Sequence, residues 1–186
     1  MRPTDGNRLL LVRHAMPEVD PGQPAALWHL SSEGRAAARL LGPLVNRPAY
    51  FMASTEPKVV ETLVEIAAGT TVQTEAAFGE VRRPQVDGDD EYRAQARAYL
   101  RGDRPEGWEP QELVVERFEA AAVEHSGRAA AYRRTLVIGS GGLASSLWLA
   151  SRYAVEPSPE QFWANLRLPD LIEVDLAART VRSLRP

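Results

Sequence analysis

Arg13-His14 directly follows the apolar run Leu9-Leu10-Leu11-Val12. A neutral imidazole is a competent nucleophile for phosphorus, and a neighbouring guanidinium can hold phosphoryl oxygens. Two further polar stretches stand in the same relation to an apolar run. Ser54-Thr55-Glu56-Pro57-Lys58 follows Tyr50-Phe51-Met52-Ala53, and Gly139-Ser140-Gly141-Gly142 follows Thr135-Leu136-Val137-Ile138. Each reads as a strand end running into a loop or a helix start. In open α/β sheets ligands bind outside such carboxyl ends, and helix N-termini there attract anions. Taken singly, each residue also has a plain reading. His14 can be a packed core histidine, Lys58 a solvated residue early in a helix, and Glu80 a surface carboxylate. Arg82 and Arg83 can be a solvated loop face, or one of them can turn inward and add anion-binding charge.

The elements that must position these residues alternate between strand and helix. The run 9–12 reads as a buried central strand. Residues 16–30 read as a Pro- and Gly-containing loop, and Ser31 or Ser32 can cap a helix. Ala37, Leu40, Leu41, Leu44 and Val45 share one face of that helix, which Pro48 ends. After the strand 50–53, Thr55 can cap a helix with Pro57 in its first turn. Val60, Leu63, Val64 and Ala67 form its stripe, Gly69 suits its C-cap, and 71–74 reads as a third strand. The charged segment 78–110 holds Asp87 among its acids and a helical stripe of Tyr92, Ala96, Tyr99 and Leu100. It reads as an insertion over one end of the sheet. A helix from Gln111 to about Ser126 precedes Gly127, and a strand at 135–138 leads into a helix at 143–153. A short helix then carries Phe162 and Trp163. The segments 171–176 and 180–184 read as a hairpin around Ala177-Ala178-Arg179. The pattern predicts an α/β fold, a mostly parallel sheet with helices on both faces. All of 1–186 is expected to form a single domain.

Bulk properties narrow the function classes. The chain has 186 residues, 44% of them hydrophobic and 25% charged, as expected of a globular protein with a sizeable core. A net charge of −3 gives no nucleic-acid footprint. With no cysteine, thiolate catalysis and thiolate metal sites are excluded. Met1 to Arg8 is short and polar, and no apolar stretch approaches the ~20 residues of a membrane helix. A cytoplasmic protein without membrane association is the expectation, with oligomeric state left open. No Walker loop, Gly-x-Gly-x-x-Gly or His/Asp/Glu cluster with metal spacing occurs. A serine hydrolase elbow is disfavoured, because Ile138 stands where that motif needs its first glycine.

The order of these motifs resembles the histidine phosphatase superfamily, also called phosphoglycerate mutase-like. Arg13-His14-Ala15 is similar to its first motif, and Leu30-Ser31-Ser32-Glu33-Gly34-Arg35 to its following helix start. Ser54-Thr55-Glu56-Pro57-Lys58 with Glu61-Thr62 is similar to its second strand end, with Lys58 in an arginine's place. Glu80 in Gly79-Glu80-Val81-Arg82-Arg83-Pro84 fits its acidic position. Phe162-Trp163-Ala164-Asn165-Leu166, with Pro169-Asp170, looks like the tail of one branch. Ser140-Gly141 departs from the pattern, since the family carries His-Gly there.

The resemblance implies a phosphoglycerate mutase-like fold and hydrolysis of a phosphomonoester on a small metabolite, without metal or cofactor. It implies His14 as nucleophile, forming a phosphohistidine, and Glu80 as acid and then base. Arg13, Lys58, Ser140 and Gly141 would bind phosphate, and Arg82 and Arg83 are further candidates. Serine is shorter than histidine and donates only a neutral hydrogen bond. Loss of one preorganised donor commonly costs ~10²–10³ in turnover, so weakened catalysis is expected. His29 and His125 are expected to be bystanders. The alternatives are a catalytically impaired protein that binds a phosphorylated or anionic ligand, and a lyase or isomerase reusing the pocket.

Overall fold

The apolar runs near the first, second and last motifs become neighbours in one sheet. A computed structural model describes residues 8–86 and 88–184; the polar stretch before Arg8 and the acid Asp87 lie outside the described residues. The strands are β1 (Arg8–Arg13), β2 (Ala49–Ala53), β3 (Val72–Thr74), β4 (Thr135–Ser140), β5 (Asp170–Asp175) and β6 (Thr180–Leu184). Their spatial order is β3-β2-β4-β1-β5-β6. β3, β2, β4 and β1 run parallel, whereas β5 and β6 add an antiparallel hairpin beside β1. Register brings the strand ends level: Arg13 lies opposite Ser140, and Val12 and Ala53 both lie opposite Gly139. The three polar stretches therefore leave the sheet at one end, that of the carboxyl termini of β1, β2 and β4.

The helices are α1 (Ser32–Leu41), α2 (Pro57–Ala67), α3 (Asp89–Leu100), α4 (Gln111–Ala131), α5 (Gly142–Arg152) and α6 (Pro159–Asn165). Alternation along β1 explains their placement, since successive side chains point to opposite faces. Leu10 and Val12 pack with Ala38, Leu41, Val59 and Leu63 of α1 and α2. Leu9 and Leu11 pack with Phe118, Ala122, Trp148 and Leu149 of α4 and α5. Both faces are covered, as a nearly continuous apolar strand demands. Each of these buried leucines contributes about 1.5–3 kcal/mol relative to exposure. A third cluster joins Tyr99, Leu100 and Trp108 of the 78–110 segment to Val114, Leu143, Leu147 and Trp163. That segment is thus packed onto the start of α5 and onto α6.

Several local expectations are corrected. Ser31, not Ser32, caps α1 by accepting from the Gly34 N–H, and the stripe shifts so that Leu40 is exposed. Thr55 does not cap α2; Glu56 holds that position without a side-chain bond, and the Lys58 N–H donates to Trp28 O instead. Val64 is exposed, while Lys58, Val59, Thr62 and Ile66 are buried. α2 leaves its helical path at Ala68, with φ of 48°, one residue before Gly69. α4 runs through Gly127 to Ala131, because Arg128-Ala129-Ala130-Ala131 are strong helix formers that outweigh one glycine. β4 continues to Ser140 rather than ending at Ile138.

Candidate active site

His14 leaves β1 beside the end of β4, where its backbone N–H donates to Ser140 O at 3.4 Å. Burial lowers its pKa to about 4, and the nearby Lys58 and Arg13 charges push the same way, against a backbone bond to Ala15. The ring is neutral at pH 7. Nδ1 lies 2.8 Å from Ala15 O, so in the neutral ring Nδ1 carries the proton and donates. Nε2 then keeps its lone pair. The loop is pinned by the Ala15 N–H donating to Thr62 Oγ1 at 2.9 Å, while that hydroxyl donates to Lys58 O. Arg13 donates from Nη1 to Leu166 O at 2.7 Å, and its buried Nε has no acceptor among the described residues. A Cβ on Gly142 would stand 2.7 Å from that Nε, so the glycine admits the guanidinium against the start of α5.

Lys58 is buried, which is rare for an ammonium unless it is paired. Its Nζ donates to Glu56 Oε2 and to Ala25 O, both at 2.6 Å. Two of its three N–H donors are thereby committed. The other oxygen of Glu56 accepts the Glu80 N–H at 2.9 Å. Glu56 thereby ties the lysine to the segment bearing Glu80. Glu56 lies within the second polar stretch, and a carboxylate two residues from Lys58 is the only mark of this role in the sequence. Ser54 Oγ is also buried without a partner among the described residues.

Glu80 reaches across to α5. Its carboxylate accepts from the N–H groups of Val81 at 2.9 Å, Leu143 at 3.0 Å and Ala144 at 2.6 Å. An acidic side chain therefore sits on the N-terminus of α5, where amides and helix dipole favour negative charge. Gly141 makes room for it, since a Cβ there would lie 2.3 Å from Glu80 Oε2. Ser140 is fully buried and its hydroxyl donates to Phe78 O at 2.7 Å. Its one proton is thus engaged with backbone rather than aimed at an anion. Behind Glu80, Arg117 donates to the carbonyls of Ala77, Gly79 and Glu80 and pairs with the buried Glu109. Burial alone would raise the Glu109 pKa, but hydrogen bonds from Arg117 and Arg82 hold it below the ordinary value.

Arg82 and Arg83 part company. The Arg82 side chain is 78% exposed and pairs with Glu109 at 2.9 Å. The Arg83 guanidinium lies 4.2 Å from the Tyr92 ring centroid and 5.7 Å from that of Trp108. Burial pushes the Tyr92 phenol up to about 12, Glu80 adds to the rise, and Arg83 and Arg13 oppose it. The sequence shows Tyr92 only as part of a helical stripe, whereas in the fold it stands among the site's charges. His29 is exposed, with Nδ1 2.6 Å from Glu61 Oε1. His125, expected near a polar helix end, is buried instead, with Nδ1 3.1 Å from the Tyr50 hydroxyl. Among the described residues no group of three or more His, Cys, Asp or Glu could hold a metal ion. None of the described helices is long and apolar enough to cross a membrane.

The architecture has close counterparts among solved structures. A mycobacterial glucosyl-3-phosphoglycerate phosphatase solved with inorganic phosphate superposes with a TM-score of 0.73 at 17% identity, covering 96% of each chain. Bacillus stearothermophilus YhfR gives 0.69 at 20% identity, covering 95% of this chain and 94% of its own. A putative alpha-ribazole-5'-P phosphatase from Escherichia coli gives 0.62 at 17% identity, covering 96% of each chain. No curated protein sequence matches the chain. These likenesses establish the phosphoglycerate mutase-like fold, and the family model "Histidine phosphatase superfamily (branch 1)" matches residues 9–177. The chain with His14 at its first strand end belongs to the histidine phosphatase superfamily.

Proposed function

We propose that this protein is a cytoplasmic phosphomonoester hydrolase that acts on a small phosphorylated metabolite through a phosphohistidine at His14. The observation that carries the reading is a neutral imidazole, fixed through Nδ1 to Ala15 O, beside the charges of Arg13 and Lys58. In the first step Nε2 attacks phosphorus, the bond from phosphorus to the ester oxygen breaks, and that oxygen takes a proton from Glu80. In the second step water attacks the phosphorus of the phosphohistidine, its proton passes to Glu80, and phosphate leaves with the imidazole restored. Arg13 and Lys58 stabilise charge on the transferring oxygens. Neither metal nor cofactor is needed. The chain 1–186 acts as one domain, with 78–110 capping the site. The mycobacterial phosphatase of similar fold is solved with phosphate and with VO3, which supports an anionic ligand here.

A second reading is favoured by two observations: an impaired, phosphatase-like protein that binds an anion and turns it over slowly. Ser140 stands where the family's second histidine is expected and donates to Phe78 O. Glu80, the acid of the mechanism, is held by two N–H groups of α5 and by the N–H of Val81, and must leave at least some of them to meet a leaving group. Assays with p-nitrophenyl phosphate on wild type, His14→Ala and Ser140→His separate the readings. Hydrolysis by wild type that is lost in His14→Ala supports the hydrolase. An inert wild type that inorganic phosphate still stabilises supports the binding protein, and gain of activity in Ser140→His would mark the serine as its cause. No hydrolysis and no phosphate binding would overturn both.

A further inference from the structure

Donors at the end of β4 are already engaged: the Ser140 hydroxyl by Phe78 O, and the Leu143 and Ala144 amides by Glu80. Lys58 has two of its three donors committed, and Arg13 has one Nη1 bond to Leu166 O. Two guanidinium N–H groups around this site remain buried without an acceptor among the described residues, Arg13 Nε and Arg83 Nε. A buried donor in that condition is costly unless something arrives to accept from it.

We infer that Arg83 is a substrate-binding residue, whose guanidinium joins Arg13 in holding the phosphoryl group. Rings hold it in place. Tyr92 lies under the guanidinium and Trp108 beside it, while Trp163 meets Tyr92 edge-on at 6.0 Å and Tyr99 tilts against Trp108 at 5.1 Å. Trp108, Tyr99 and Trp163 are buried, so the stack is anchored in the packed part of the 78–110 segment. Arg82 faces solvent on Glu109, whereas Arg83 is half-buried over the Tyr92 ring and gives one Nη1 hydrogen bond, to Pro84 O at 3.4 Å. Arg13 donates to Leu166 O at the end of α6, and Trp163 of that same helix meets Tyr92, so these contacts set the stack beside Arg13. A planar guanidinium matches phosphate oxygens two at a time, which an ammonium does not.

This inference rests on the phosphate-binding reading above. The test measures inorganic phosphate binding by calorimetry and p-nitrophenyl phosphate kinetics on wild type, Arg83→Gln, Arg83→Lys and Arg104→Gln. Arg104 is an exposed cation of the same segment, paired with Glu112. Arg83→Gln is expected to weaken phosphate binding about 10- to 100-fold and to raise KM in proportion. Arg83→Lys, which keeps charge but loses the fork, should weaken it several-fold, and Arg104→Gln should bind like wild type. Wild-type affinity in Arg83→Gln overturns the role of Arg83 while leaving the hydrolase reading intact. Absence of phosphate binding by wild type overturns that reading and this one with it. Should Arg83→Gln fail to fold by circular dichroism, Arg83→Lys decides, and unchanged affinity in it overturns the inference.

Discussion

His14 combines burial with two neighbouring cations, and the consequence is a measurable pH signature. Its folded pKa of about 4 lies below the ordinary 6.5. Between those values the unfolded chain binds a proton that the native imidazole refuses. Stability from this group is therefore fully present above pH 6.5 and is lost as pH falls toward 4. At one unit per ~1.36 kcal/mol the loss reaches about 3 kcal/mol. Urea unfolding of wild type and His14→Asn at pH 7, 5.5 and 4 isolates it from other titrations. The wild type should lose about 3 kcal/mol more than the variant over that range. Activity carries the same mark: kcat/KM limited by a free His14 should hold to about pH 5 on its acid side. An acid limb centred at 6.5 would show the imidazole to be ordinary and solvated. The residues that produce this signature are legible in part. Arg13, His14 and Lys58 follow apolar runs, so a strand end can be assigned to each. Glu56 is not legible as Lys58's partner, because nothing in the sequence says that both side chains are buried.

At the scale of elements, the site depends on how the segment 77–80 is held between α4 and α5. Arg117 on α4 bonds the carbonyls of Ala77, Gly79 and Glu80, and α5 donates to the Glu80 carboxylate over Gly141. Arg117→Ala removes these bonds and leaves the buried Glu109 carboxylate with only the largely exposed Arg82 as its cation among the described residues. By analogy with broken buried ion pairs it should cost about 3–5 kcal/mol, read by urea denaturation. Gly141→Ala is sharper, because a Cβ at 2.3 Å from Glu80 Oε2 cannot coexist with the present arrangement. The carboxylate must leave α5. Turnover of p-nitrophenyl phosphate is expected to fall by about an order of magnitude or more, with KM for the ester less affected. A crystal structure of the variant with Glu80 unmoved would refute the account. None of this bracing can be read from the sequence. The alternation of strands and helices follows from apolar spacing, whereas Glu80 meets α5 amides far along the chain, at Leu143 and Ala144. The same holds for Arg82 and Arg83: their types are visible, but that Arg83 packs on Tyr92 and Trp108 while Arg82 pairs with Glu109 is not.

For the whole molecule, a net charge of −3 contrasts with the placement of Arg13 and Lys58 beside His14 at one end of the sheet. Long-range attraction for an anion is weak, so the phosphate binding proposed for this chain would come from local, desolvated donors whose strength survives salt better than a surface patch would. Glu80 and Glu56 temper that end, and Glu80 also occupies the amides of α5. The molecule thus carries its own competitor for an incoming anion. Coupling between binding and folding makes this testable on the intact chain. For a dissociation constant of ~1 mM, about 10 mM inorganic phosphate adds about 1.4 kcal/mol to stability, which raises Tm by roughly 3–6 °C at this chain length. His14→Ala, which removes the nucleophile and leaves Arg13 and Lys58, should keep most of the shift. Glu80→Gln keeps the side chain's shape but removes its charge, so it should enlarge the shift while abolishing hydrolysis. The two effects move in opposite directions only if one carboxylate both serves the chemistry and opposes the ligand. A smaller phosphate shift in Glu80→Gln than in wild type would mean that the carboxylate organises the anion site instead of competing for it.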